Sequence, residues 1–507
     1  MNITEQLIQE VSALISGNAT YDTYQKRWKY LLESYMGGDE YRKAQYLTRY
    51  QLETNSEYLA RLNNTPLENH CASIVSVYKS FLFRTEPDRE FNSIEGMPEL
   101  EEFLKDADMD GRNLNAFMKD VATWSSVFGH CFIMITKPNV GAQTRAEEQQ
   151  IGVRPYVNLL TPLVVLDWQF TRSPNGRYDL SYFRYLEDVN GSIRTVKEWT
   201  KDSIKTSIVD VDNTVITEET TEPNGLGEIP VVIAYNQRSS VRGLGISDLT
   251  DIADLQRFIY NNTSEVAESM RLDTHPSLVA TNETRVGTGA GSLILMPDNM
   301  DPGLKPYVLE NSGANIESIY KSIQHTTSVI DKIANTGAVR ATESRTLSGV
   351  AMNVEFQLLN AKLSEKADNL ELAEEQMWKI WCRYMGVESD VEIDYPGEFN
   401  VKDTQSQIAQ LKIAADTNPQ DPRVKQAIDE AILDWLEVDD SEEPVETLSE
   451  EIKEDIQDSI MAGKTDTEIV SEGITTAQLT AAKADLLQVE VPNNTRPLGT
   501  ITRAQPD

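Results

Sequence analysis

The spacing of apolar residues divides this chain into stretches of different period. Over residues 1–90 apolar positions return at helical intervals, among them Leu59, Leu62, Leu67, Ile74, Val77, Tyr78 and Phe81, which predicts helices. The opening MNITEQLIQEVSALISG shares that period and lacks a basic leading region, so it reads as a short amphipathic helix and not as a signal peptide. Helical spacing continues over 98–127 around an aspartate-rich turn. From about 129 to 237 the pattern becomes β-branched and aromatic: CFIMIT, YVNLLTPLVVLDW, LSYFRYLE, TVKEWT, SIVDVDNTVIT and IPVVIAYN. Asn-Gly, Pro-Asn-Gly and Asp-Asn turns separate these runs, predicting an antiparallel sheet region.

Helical spacing returns at SDLTDIADLQRFIYNNTSEVAESMRL. Ser247 is expected as its N-cap, with Asp248 and Asp251 at the positive end of the helix dipole. Residues 274–312 hold Pro276, GTGAG, Pro297, Pro302, Gly303 and Pro306 around the strand SLILM. A second helix, NIESIYKSIQHTTSVIDKIAN, follows, then the polar TGAVRATESRTLSG. Residues 350–386 next run without proline or internal glycine, far beyond the mean helix of about 11–12 residues. DVEIDYPG, two helices around 401–437, the acidic LEVDDSEEPVETLSEEIKEDIQD and a polar tail after about residue 490 complete the chain. The class is α+β, mainly helical.

Charge narrows the function. With 81 acidic against 46 basic residues the formal net charge is -35, so a free protomer is repelled by nucleic acid and anionic lipid and lacks a basic footprint. A length of 507 residues calls for several domains or one elaborate architecture. Cys71, Cys131 and Cys382 lie far apart, which gives no disulfide framework or metal spacing and fits a reducing compartment. No apolar run reaches the roughly 18 residues of a membrane span. These features predict a soluble protein made inside a cell, without a membrane role.

LKDADMDGRNLNAF, residues 104–117, resembles a calcium loop, with Asp106, Asp108 and Asp110 alternating before Gly111. The twelfth position is Phe117, where that loop needs a bidentate glutamate. Phe117 stands at helical spacing from Val121 and Trp124. The alternative is a turn, Gly111 ending one helix and Asn113 starting the next. GTGAGS at 287–292 lacks dinucleotide-binding spacing and a following Lys-Ser/Thr, and reads as a hairpin turn. His70, His130, His275 and His325 show no metal spacing, and no zinc-protease or nucleophile-elbow motif occurs. No catalytic residue, metal or cofactor is expected, and the chain does not read as an enzyme.

The two helices flanking 274–312 would each span about 30–40 Å. Their apolar residues (Leu255, Phe258, Ile259; Ile319, Ile323, Ile330, Ile333) mix with many polar ones. They therefore either pack on the β region or meet copies of themselves in neighbouring subunits.

Several segments resemble the portal proteins of tailed bacteriophages. YRKAQYLTRYQLETNSEYLARLNNTPLENHCASIVSVYKSFLFRTEP is similar to portal N-terminal helices. DMDGRNLNAFMKDVATWSSVFGHCFIMI is similar to the Asp/Gly turn, helix and Gly that lead into the first wing strand. GLGISDLTDIADLQRFIYNNTSEV resembles the family's Gly-x-Ser-x-Leu helix, and TGAVRATESRTLSGVAMNVEF its loop and the start of a long helix. The resemblance implies a portal-protein fold with wing, stem, clip and crown regions. By position, 1–245 is the wing, with a helical N-terminal part and a β-sheet part, and 349–386 a long wing helix. Residues 246–273 and 315–335 are stem helices, 274–314 the clip, 336–348 the tunnel loop, 387–445 the crown, and 446–507 an acidic C-terminal region and tail.

The resemblance further implies a homo-oligomeric ring, dodecameric in the virion, at one capsid vertex. Double-stranded DNA would pass through it during packaging and ejection. Its partners would be the terminase large subunit, a head-completion or neck adaptor, the major capsid protein and a scaffolding protein, with assembly in the host cytoplasm. An acidic bore suits such a conduit, because each Lys or Arg contact to phosphate adds affinity and friction. The exceptions expected are Arg340 and Arg345, with Thr342 and Ser344, on the tunnel loop, Lys321 and Lys332 along the stem lumen, and Arg285 and Lys305 in the clip. The rival readings are an acidic calcium-binding protein or enzyme and a monomeric virion scaffold or adaptor.

Overall fold

A computed structural model describes residues 3–141, 144–274, 277–281, 285–286, 294–295, 301, 303, 306–309, 314–340 and 349–399. The chain divides into two compact units, 1–400 and 401–507, and the described residues all belong to the first. The two helices expected around 401–437, most of the segment expected as crown, and the acidic tail lie outside the described residues.

Five helices open the fold: α1 (Ile3–Ile15), α2 (Ala19–Met36), α3 (Gly38–Lys43), α4 (Asn55–Asn64) and α5 (His70–Leu82). Each of α2, α4 and α5 begins where a side chain satisfies a free helix N–H. Asn18 accepts from Thr20 N, Asn69 from Ala72 N, and Thr54 forms a reciprocal capping box with Glu57. Leu62, Ile74 and Tyr78 are buried as the period predicts, but Leu59 is 49% exposed. The inward face of α4 runs instead through Tyr58, Arg61 and Leu62, because Arg61 is buried against Glu53 at 2.8 Å.

Strand β1 (Asp88–Glu90) leads to α6 (Pro98–Lys105) and α7 (Leu114–Phe128). The aspartates between these helices build the turn itself. Asp106 accepts from Gly111 N at 2.8 Å, and Asp108 accepts from Asp110 N at 3.0 Å and from the Arg112 side chain at 2.5 Å. Gly111, at φ +87°, takes the left-handed conformation that costs a glycine least. The preceding helix already ends at Lys105, earlier than expected. Asn113 caps α7 through Ala116 N, and Phe117 and Val121 turn into the core.

The β region contains β2 (His130–Thr136), α8 (Arg145–Ile151), β3 (Tyr156–Leu160), β4 (Val165–Arg172), β5 (Tyr178–Asn190), β6 (Ile193–Thr200), β7 (Ser203–Asp210), β8 (Val215–Pro223) and β9 (Val231–Tyr235). All pairs are antiparallel, as predicted, but they form two sheets. One has the order β3-β2-β9 and the other is the meander β4-β5-β6-β7-β8. Central β2 is buried from His130 to Ile135, hence its unbroken apolar run. Helix α8 has no apolar stripe to announce it; Thr144 caps it through Glu147 N.

The long helices are α9 (Ile252–Thr274), α10 (Ala314–Ala334) and α12 (Gly349–Met385), with one turn of α11 (Gly337–Arg340) between the last two. Between α9 and α10 the chain forms two antiparallel ribbons. Strand β10 (Ser277–Val279) pairs with β13 (Tyr307–Leu309), and β11 (Arg285–Val286) with β12 (Ile294–Leu295). GTGAGS falls between β11 and β12, outside the described residues. The C-terminal half of α12 anchors the core, with Trp378 and Trp381 wholly buried beside Phe103. There Glu374 accepts from Arg89 at 2.6 Å and from the Tyr395 hydroxyl at 2.6 Å. Strand β14 (Glu392–Asp394) pairs with β1, returning the chain to its N-terminal part. Among the described residues no helix is long and apolar enough to cross a membrane.

Candidate functional site

The residues that position the long helices converge where α9 begins and α10 ends. The motif Gly245-Ile-Ser247-Asp-Leu249 does not cap a helix as expected, since α9 starts only at Ile252. Its residues clamp the chain to the end of α7. Ser247 Oγ donates to Val127 O at 2.6 Å and accepts from Leu249 N at 3.0 Å, while Asp248 N donates to Ser126 O at 3.1 Å. Gly245 lies backbone to backbone on Gly129, the left-handed residue that closes α7. Leu249 is wholly buried. Ser247 is drawn from the capping role by these nearby carbonyls, which an interior hydroxyl must satisfy.

Asp248 has a partner that dipole reasoning does not supply. Its carboxylate is buried between Lys366 at 2.5 Å and Lys362 at 3.2 Å, one turn apart on α12. Burial alone would raise the Asp248 carboxyl, but Lys366 and Lys362 outweigh it and hold it below the usual carboxylate range. The three hydrogens of the Lys366 ammonium meet Asp248, Ser126 Oγ and Asn236 Oδ1. Tyr78 adds its ring beneath both lysines, 4.8 and 5.0 Å away. One signal was present in the sequence: Lys362 and Lys366 share a face with Leu359, Leu363 and Leu370, which are all buried.

At the far end of α10, Asn335 adopts φ +57°, and its N–H and that of Thr336 reach back to Lys332 O at 3.3 Å and Asp331 O at 2.9 Å. This left-handed closure satisfies the helix's last carbonyls and turns the chain into the polar segment. Arg340 then folds back on the helix it follows, meeting Asp331 at 2.8 Å and His70 Nδ1 at 2.9 Å. Its side chain is only 13% exposed. Burial and the Arg340 guanidinium hold His70 below its usual value, so the neutral ring accepts through Nδ1. Tyr78 joins the ends by donating to Ala334 O at 2.5 Å.

Of the sequence-predicted residues that the structure describes, Arg340 takes part in this base, and no contact joins it to Lys321, Lys332 or Arg285 into one cluster. Lys321 is exposed and pairs with Glu317 on its own helix at 2.8 Å, and Lys332 is exposed. Arg285 opens β11. Arg345, Thr342, Ser344 and Lys305 lie outside the described residues. The pairings of Asp248 with Lys362 and Lys366, and of His70 with Arg340, escaped the sequence reading because the partners are remote along the chain; Asp331 escaped it although Arg340 stands only nine positions on. Among the described residues no group of three or more His, Cys, Asp or Glu side chains is placed to hold a metal ion.

A pH response follows from the same clamp. His130 Nδ1 accepts from Gly245 N at 3.3 Å, and its Nε2–H donates to the Tyr21 hydroxyl oxygen at 2.9 Å. Burial pushes this imidazole down to about 3, whereas in an unfolded chain it titrates near ~6.5. Between those values the unfolded state takes the proton first, so stability present at neutral pH is lost as pH falls below about 6.5. At pH 5 the expected loss is about 2 kcal/mol, read as a lower urea midpoint than at pH 7.5. Equal midpoints at the two pH values would contradict a neutral buried His130.

Comparison with known proteins bears on this architecture. The family described as phage portal protein, SPP1 Gp6-like, matches residues 99–458. No curated protein matches the chain. Similar solved structures include a chain from the virion of a native gene transfer agent particle, at 10% identity and TM-score 0.39, covering 76% of this chain and 97% of that one. A chain from the neck of the native particle, computed with C12 symmetry, is similar at 10% identity and TM-score 0.37, covering 71% of this chain and 89% of that one.

Proposed function

Because the chain belongs to the SPP1 Gp6-like family of phage portal proteins, we propose that it closes with copies of itself into a ring at one capsid vertex, dodecameric in the virion, through which double-stranded DNA is packaged and ejected. The family match over residues 99–458 carries this reading. The family is structural, and the role assigned is that of a connector and not of an enzyme. In this proposal α9 and α10 are the stem, residues 274–314 the clip, 336–348 the tunnel loop, and the helices and sheets of 1–245 with α12 the wing. The clip would dock the terminase large subunit and later a neck adaptor, and the capsid and scaffolding proteins would meet the outer surface.

Two properties support this reading, one for ring closure and one for the conduit. Phe258, Met270, Tyr320 and Ile333 remain 40–55% exposed on α9 and α10 (48%, 51%, 48% and 43%), apolar area that neighbouring copies would cover. The net charge of -35 suits a conduit, since an acidic bore repels phosphate at short range, within about 8–10 Å at physiological salt.

The tunnel-loop assignment is tested with Arg340→Ala plus Arg345→Ala. Rings should still assemble, while DNA packaged or retained per particle falls several-fold. Because Arg340 also holds Asp331 and His70, Arg345→Ala alone serves as the variant that leaves those two contacts in place. Wild-type packaging and retention in both would reject the assignment, and a wild-type chain that stays monomeric in native mass spectrometry would reject the ring.

A further inference from the structure

Helix α11 is a single turn, Gly337–Arg340, whose Val339 and Arg340 N–H groups donate to Thr336 O at 3.0 and 2.9 Å. So short a helix has no stability of its own in water, and tertiary contacts must hold it. Gly337 lies against Glu355 of α12. Arg340 reaches back with Nη1 to Asp331 of α10 at 2.8 Å and with Nη2 to His70 Nδ1, at the start of α5, at 2.9 Å.

The contact to His70 depends on its protonation. The ring accepts from Arg340 only while Nδ1 keeps a free lone pair. A proton there would set two donors and two positive charges 2.9 Å apart. His70 also opens α5, where the helix dipole disfavours a cation. Two carboxylates act the other way: Glu68 Oε2, 3.4 Å from Nε2, and Asp331, which favours the charged ring from α10. Cys71 beside it is a neutral thiol, pushed up to about 12 by burial. On the helices packed against α5, Arg27 of α2 is engaged with Asp254 of α9 at 3.0 Å, and Lys362 and Lys366 of α12 with Asp248. Lys119 of α7 lies over Phe83, at the other end of α5.

We propose that His70, Asp331 and Arg340 form a proton-operated latch, which pins α11 to α5 and α10 while His70 is neutral and opens when the ring takes a proton. On opening, Asp331 becomes the counter-ion of the imidazolium, so Arg340 leaves without stranding a buried charge. The closed latch keeps the Arg340 side chain 13% exposed and turned away from any surface partner. The open latch frees both that guanidinium and the backbone of α11. Linkage gives the direction. Burial and Arg340 hold the closed ring below its ordinary value of ~6.5, and release relieves the second of these, so opening grows as pH falls below about 6.5. The device lies within one protomer and works with or without a ring.

The test is hydrogen exchange on the full chain, reading protection of the Val339 and Arg340 amides after correction for the intrinsic pH dependence of exchange. Between pH 7.5 and pH 5 that protection should fall about ten-fold. His70→Asn keeps an acceptor oxygen near the place of Nδ1 and cannot titrate, so its protection should be the same at both pH values. Arg340→Gln removes the opposing charge and should raise the pKa of His70, read by NMR on isotope-labelled histidine, of which the chain has four. Unchanged wild-type protection overturns the latch, as does a step of equal size in His70→Asn. A loss shared with β2 and residues 245–249 would assign the step to His130 and overturn it too. If His70→Asn does not fold, the Arg340→Gln titration decides, and a His70 pKa equal to that of the wild type rejects the latch.

Discussion

Gly245→Ala is expected to remove the native fold, with soluble yield lost or stability lowered by at least about 4 kcal/mol. A Cβ at this position would stand 1.8 Å from Gly129 O and 2.5 Å from Gly129 C. Both are backbone atoms, and neither can yield cheaply. Gly129 closes α7 through Ser125 O at 2.7 Å and accepts from Asn236 N at 2.9 Å. Shifting it would break the end of α7, the start of β2 and the hydrogen bond from Gly245 to His130 together. Close-packed interiors transmit such strain rather than absorb it. Gly225→Ala is the control: nothing lies within 4 Å of its Cβ, so a change within about 0.5 kcal/mol is expected. Equal urea midpoints for the two variants would refute the backbone contact.

The second large effect is expected from Asp248→Ala, a loss of about 3–5 kcal/mol. The substitution removes the counter-charge of Lys366, whose side chain is 6% exposed, and of Lys362. Desolvated ammoniums left in place cost more than the pair contributes when intact. Adding Lys366→Met to Asp248→Ala should recover part of the loss, since the buried charge goes with its partner. Hydrogen exchange should localise the single variant's loss to residues 247–260 and the middle of α12. If the double variant is no better than the single one, the penalty does not arise from an unpaired buried amine.

Both substitutions act on the base of α9 and α10, the pair proposed as stem. Asp248 and Lys366 fix how α9 rises from α12, and Gly245 fixes how it rises from α7. A protomer lacking either contact has no defined helix direction to offer a neighbour, so ring assembly should fail with stability. Arg345→Ala, by contrast, is expected to leave assembly intact.

Long regular patterns were legible without coordinates. Helices expected from the apolar spacing at 247–272, 315–335 and 350–386 became Ile252–Thr274, Ala314–Ala334 and Gly349–Met385. Their periodicity persists over five or more turns, so local propensity and the apolar stripe agree. The strands were legible as runs, but not their division into two sheets, because both sheets show the same alternation. The short polar α8 offered no apolar period, and Leu59 lost its inward place to the buried Arg61–Glu53 pair.

What the sequence by itself determined is the succession of helices and strands, the acidic character of the chain, and the resemblance to the portal family that the family match bears out. Tertiary structure alone decided what individual polar residues do. Ser247 became a clamp, Asp248 the counter-ion of two lysines, and Arg340 the partner of Asp331 and His70. Lys366 and Asp248 stand 118 positions apart, and Arg340 and His70 270 apart. Secondary structure follows from interactions within a few residues, which a local pattern encodes. The pairing of a buried charge depends on which distant element folding brings beside it, and no period along the chain records that.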